Sequence, residues 1–271
     1  MIDNRLTELA KGLINYSICL KKGEKLLIEA KDIDYMLVNE LVKEAYKVGA
    51  YPFVEIFDNR VSRQLLMGET EEYAKLKAKY AGYRMADMDA YIAIRGGNNS
   101  NENADVPERN MQIESEFYSR PVHHEIRVKK TKWVVLRYPN PGMAQAAGMS
   151  TDAFEDFYFK VCNLDYSKMD KAMDALKVRL DNADKVRIIA KETDISFSIK
   201  GIGSKKCSGH CNIPDGEIYT APVKDSVNGV ITYNAPSVQN GTKYENVSLT
   251  FRNGKQIRPH ILRLRRYRKP S

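Results

Sequence analysis

Glu217 stands where a carboxylate can be aimed in one direction. It follows the turn residues Pro214-Asp215-Gly216 and opens a short extended piece, Glu217-Ile218-Tyr219-Thr220, which Ala221-Pro222 closes. Proline fixes its own φ, and glycine after aspartate supplies the positive φ of a tight turn, so the side chain leaves along a set path. Such a carboxylate suits a metal ligand, because coordination tolerates little angular error. The plain alternative is an exposed glutamate after a surface turn. Three further groups have suggestive residue types. Cys207 and Cys211, with His210 between them, lack the second ligand pair of a tetrahedral zinc site. His123-His124-Glu125 occupy consecutive helical positions about 100° apart, so they cannot close on one ion and read as helix surface. Gly96-Gly97-Asn98-Asn99-Ser100-Asn101 follows a strand, where open α/β sheets place ligands, but it holds neither G-x-G-x-x-G nor a Walker lysine.

The elements that must position these residues change character along the chain. Apolar residues at Leu6, Leu9, Leu13, Ile14 and Ile18 predict an amphipathic first helix. Residues 25–30 then read as a buried strand, and Leu37, Val38, Leu41, Val42 and Ala45 as a helix stopped by Gly49. Residues 51–57 form a second strand. Strand, helix, strand is a βαβ unit, which implies a parallel sheet. A helix over 73–84, a strand over 89–95, a helical stretch over 107–128 and a strand over 133–139 continue the pattern. Two more helices follow, the second with a core stripe of Met169, Met173, Leu176 and Leu180. From Asp184 the segments 185–190, 194–199, 229–233 and 244–251 alternate like half-buried antiparallel strands, and Asn253-Gly254 is a hairpin signal. The expected organisation is an N-terminal α/β domain with a parallel sheet over 1–184, then an incomplete β-rich catalytic domain over 185–255, then a basic tail over 256–271.

Composition narrows the function classes. The chain has 271 residues, 43% hydrophobic and 29% charged, which reads as soluble and globular. No apolar run approaches membrane-spanning length and the N-terminus lacks a signal-peptide pattern, so the expected location is cytoplasmic, without a membrane partner. The cysteines Cys19, Cys162, Cys207 and Cys211 are too sparse for a disulfide framework. The formal net charge is +8, but Lys255 onward carries seven Lys or Arg and no acid, which leaves +1 for residues 1–254. The basicity therefore belongs to one tail, and nucleic acid is not the expected partner.

The run "NIPDGEIYTAP" followed by "DSVNG" resembles the first metal-ligand segment of the aminopeptidase T and aminopeptidase S family of bacterial metallopeptidases. "ETDISFSIKG" (192–201) is similar to a family strand that enters the catalytic domain, and "ENVSLTFRNGK" (245–255) to the hairpin that follows. The resemblance covers Met1 to about Gly254. It implies a metal-dependent aminopeptidase acting on peptide substrates, two divalent metal ions (zinc, cobalt or magnesium), a homodimer, and Glu217 as a metal ligand. The family's other ligands, two further Glu, two His and an Asp, and its catalytic Glu and Tyr lie in later segments that this sequence does not contain. A two-metal site holds its ions roughly 3.5–4 Å apart. Residues 186–271 offer few candidates: His210, Asp215, Glu217, Asp225, Glu245 and His260. The expectation is a chain with little peptidase activity alone, whose residues 256–271, as after a reading-frame slip, pack poorly and are largely disordered. The competing reading is a non-catalytic binding module whose basic tail meets nucleic acid or an anionic surface.

Overall fold

The first helix, α1 (Asn4–Lys11), begins at Asp3, whose carboxylate accepts the Arg5 N–H at 2.9 Å, and continues as a π-helical turn over Gly12–Ser17. Leu6, Leu9, Leu13 and Ile14 are buried along it. The structure, a computed structural model, describes residues 3–239 and 242–263. Strand β1 (Lys25–Lys31) leads to α2 (Tyr35–Val48), capped by Asp34 and ended by Gly49 at φ 81°, a left-handed conformation suited to glycine. Strand β2 (Tyr51–Phe57) is followed by α3 (Asn59–Met67) and α4 (Glu71–Asp87), capped by the side chains of Asp58 and Thr70. After β3 (Ala90–Arg95), helix α5 (Glu108–Ile113) passes into a π-helix, Glu114–Arg127, and ends as α6 (Val128–Lys130). Strand β4 (Lys132–Arg137) precedes α7 (Pro141–Ala146), α8 (Thr151–Cys162), α9 (Tyr166–Ala172) and α10 (Asp174–Asp181).

These strands form a parallel sheet in the order β2-β1-β3-β4, extended by β8 (Asn212–Ile213) beside β4. One face packs under α4 and the π-helix, where Leu27, Met85, Met88, Tyr91, Ala93 and Val122 make a buried cluster with Trp133 and Ile126 against it. The expected α/β architecture and its βαβ start are therefore present. The compact units divide differently from the expected boundary at 184/185. One unit is Met1–Ser167 with Ser208–Gly216; the other is Lys168–Cys207 with the chain from Glu217 onward. β8 returns to the edge of the parallel sheet after the chain has left it, and nearly all of α9 and the whole of α10 fall in the second unit. The expected stripe on the last helix is also interrupted: α9 and α10 break at Met173, and Leu176 is exposed.

The second unit carries an antiparallel sheet. β5 (Lys185–Ala190) pairs with β6 (Thr193–Ser198), β6 with β10 (Asn228–Tyr233), and β10 with β12 (Thr242–Arg252). The short β11 (Ser237–Gln239) also pairs with β12. β7 (Lys205–Cys207) and β9 (Glu217–Tyr219) make a separate two-stranded ladder. The turn Asn253-Gly254, at φ 49° and 72°, joins β12 to β13 (Lys255–Arg263), which pairs with β12 along its length. A Cβ at position 254 would lie 1.8 Å from the Lys224 carbonyl oxygen, so glycine is required there. Part of the expected disordered tail is thus a strand. A two-residue hairpin turn commits the chain to a return strand, and β13 pairs an edge of β12 that would otherwise stand bare. The rest of the expected tail, residues 264–271, lies outside the described residues.

Candidate functional site

Glu217 begins β9, as its turn-to-strand position predicts, and lies opposite Cys207 of β7. The segment before it is held at several points. The Cys211 carbonyl accepts the Val135 N–H at 3.0 Å, which seats β8 on the parallel sheet, and Ile213 is buried there. The Ile213–Pro214 peptide is cis. The Asp215 carboxylate accepts the Gly209 N–H at 2.7 Å, and the Asp215 N–H donates to the Tyr166 hydroxyl at 3.1 Å. That hydroxyl donates in turn to the Val161 carbonyl at 3.1 Å. Gly209, at φ 89°, lies against the Tyr166 ring, 2.9 Å from where a Cβ would stand. Asp215 therefore fixes the turn, and its carboxylate is occupied with backbone. Glu217 itself is exposed, and among the described residues its carboxylate has no hydrogen-bond or ion-pair partner. Neither of two clefts outlined on the surface includes it; one, of about 330 Å³, is lined by Leu9, Tyr16, Tyr166 and Ile213.

The other candidates separate in space and in role. His210 stacks on Tyr16 with ring centroids 4.8 Å apart, and its Nδ1 lies 3.3 Å from the Ser17 carbonyl oxygen. Neither Cys207, in β7, nor Cys211, beside β8, takes part in a disulfide among the described residues. Asp225 lies in a 3-10 turn, Glu245 in β12 and His260 in β13. His123 departs from its expected place on the helix surface. It turns inward from the π-helix, edge-on to Tyr91 and Tyr118, and burial, with Arg127 and Arg95 nearby, pulls its pKa down to about 4. Glu125 remains outside, paired with Lys129. The same sheet face buries Glu29, which accepts the Tyr91 hydroxyl and whose carboxyl burial pushes upward. Sequence reasoning missed this network, because a charged residue inside a strand announces no partner. The glycine loop after β3 closes on its neighbours: the Gly96 N–H donates to the Lys31 carbonyl at 2.7 Å, and a Cβ at Gly96 would lie 2.1 Å from the Asp32 carbonyl oxygen.

The sequence profile of the thermophilic metalloprotease family, M29, matches residues 2–260. The chain belongs to this family. Aminopeptidase AmpS of Bacillus subtilis is 24% identical over 287 residues, covering 94% of this chain and 70% of that protein. Aminopeptidase T of Thermus thermophilus is 24% identical over 283 residues, covering 92% and 69%. The solved structure of wild-type AmpT from Thermus thermophilus superposes with a TM-score of 0.76 at 20% identity, covering 96% of this chain and 72% of that one, and so shares its fold. The M29 match runs past Gly254 into β13, which corrects the expected break at Gln256.

A metalloprotease family implies divalent metal ions, and the donor set tests whether these residues could hold them. Among the described residues no three or more His, Cys, Asp or Glu side chains are gathered in a way that could hold an ion. Glu217 is a single donor, and metal affinity comes from several donors acting together. The described residues alone do not fit a metal centre.

Proposed function

We propose that the chain is a cytoplasmic member of the metal-dependent aminopeptidase lineage, with N-terminal residues of peptides as its substrate chemistry, a homodimer as its working form, and Glu217 as one ligand of a two-metal site. The observation that supports this reading is the M29 match, which spans the whole Glu217 segment, together with a turn that presents Glu217 at the start of a strand. No membrane-crossing helix occurs among the described residues, and β13 takes up part of the basic stretch on which the binding-module alternative rests.

Because Glu217 belongs to no group of three or more donors among the described residues, a polypeptide of these 271 residues is expected to hydrolyse aminoacyl chromogenic substrates no faster than a boiled control, with zinc, cobalt or magnesium added. Turnover above that control would show that the donor count is wrong. The role of Glu217 is tested separately by moving residues 209–229 into aminopeptidase T of Thermus thermophilus in place of its matching segment. The chimera should remain active, and the same chimera with Glu217→Ala should lose more than about a hundredfold in kcat/KM, beyond what removing a group that merely orients a ligand costs. Full activity in that variant removes Glu217 from the site.

A further inference from the structure

The cleft of about 330 Å³ lies wholly within the first compact unit, between the π-helical turn Gly12–Ser17 and the end of α8. Buried Leu9, Leu13 and Ile213 make its floor. Its walls are tied together, because the Tyr16 hydroxyl donates to the Tyr166 carbonyl at 3.1 Å. Two buried polar atoms of lining residues are left over. Ser17 is 6% exposed and its hydroxyl has no hydrogen-bond partner, although a helical serine often bonds back to the carbonyl four residues earlier. Asn163 donates its side-chain N–H to the Arg5 carbonyl at 3.0 Å, which fixes the amide with Oδ1 as the acceptor. That oxygen is buried and unpartnered. Leaving a buried donor or acceptor unmet is costly, so these atoms call for something to meet them. Ordered water gains little against a floor of leucine and isoleucine, and the volume falls within the roughly 300–1,000 Å³ of small-molecule sites.

Gly12 points the same way. It lines the cleft in right-handed helical backbone, at φ −58°, and a Cβ there would meet nothing within 4 Å. Neither strain nor crowding demands glycine, and in mid-helix it is destabilising relative to alanine. What it preserves is the opening.

We propose that this cleft binds a free amino acid with an aliphatic side chain. The ammonium donates to Asn163 Oδ1, the carboxylate accepts from the Ser17 hydroxyl, and the side chain covers the leucine floor. The rim carries charge of both signs to suit a zwitterion. Asp165, two residues beyond Asn163, adds a negative charge on the ammonium's side. Lys11, which leads into the Ser17 turn and pairs with Glu8 at 2.9 Å, adds a positive one on the other.

This inference goes beyond the peptidase reading and does not depend on it. Binding is read on the full chain by NMR shifts of the Asn163 side-chain amide and the Leu13 N–H, with a chelator present so that no metal-bound ligand contributes. L-Leucine should shift both saturably at millimolar concentration or below. Isocaproate, which lacks the ammonium, isopentylamine, which lacks the carboxylate, and glycine, which lacks the apolar group, should each bind at least about tenfold more weakly. Gly12→Leu closes the opening with a better helix former, and should abolish the shifts with circular dichroism unchanged. Ser17→Ala should weaken leucine about tenfold without lowering Tm, since it removes a hydroxyl that the fold leaves unpaired. Shifts that do not saturate would leave only water in the cleft and overturn the proposal. Leucine binding that survives both Gly12→Leu and Ser17→Ala overturns it too, as does equal binding of leucine and all three fragments.

Discussion

His123 and Glu29 lie under the same π-helix, and burial gives their titrations opposite consequences for stability. His123 binds its proton near pH 4 when folded, against 6.5 in water. Between those values the unfolded chain holds more protons, so stability rises with pH across that window, by up to roughly 3 kcal/mol. Glu29 is raised above 4.5, chiefly by burial, so the folded state keeps a proton that the unfolded chain has already lost, and its contribution falls as pH rises above 4.5. The His123 ring should titrate by NMR with a midpoint near pH 4, and His123→Gln should flatten the rise in stability between pH 4 and 6.5. A midpoint near 6.5 would mean a hydrated ring. The sequence shows these residues as a strand glutamate and a helix histidine; only the packing of the helix on the sheet reveals that both are desolvated.

At the scale of elements, the return of β8 to the parallel sheet decides where Glu217 emerges. The turn Pro214-Asp215-Gly216 was legible because proline and glycine constrain φ locally. Its anchors were not, because Tyr166 and Gly209 meet Asp215 only in the folded chain. Asp215→Ala removes a carboxylate acceptor, a bond of about 1.5–3 kcal/mol. Loosening β8 should then speed exchange of the Val135 amide, which donates to Cys211, by about ten- to a hundredfold. Unchanged exchange would show that β8 is held by Ile213 and the ladder alone. The β12–β13 hairpin shows the same division. Asn253-Gly254 announces the turn, and although the basic composition after it points to an unpaired tail, the geometric demand of the turn prevails and the chain returns as β13.

Across the whole molecule the two compact units are unequally built. Among the described residues, the second unit's buried apolar side chains are Ile195 and Ile199, whereas the first buries a long series from both sheet faces and α1, α2 and α8. Burial of apolar surface is the main favourable term, so the units should not share one transition. Calorimetry is expected to show two, with amides of β5 and β10 exchanging before those of β1 and β3. A single transition with matched exchange would show that the units fold cooperatively. Local rules sufficed for β1–β6, β10 and β12, most of the helices, the turns and the change from parallel to antiparallel character, since periodicity and turn chemistry act over a few residues. The chemistry at Glu217 was suggested by one such turn and by family likeness. Which residues surround it, where β8 returns, which charges lie buried and which cleft stays open depend on contacts between segments far apart in the chain, and those exist only once the backbone has packed.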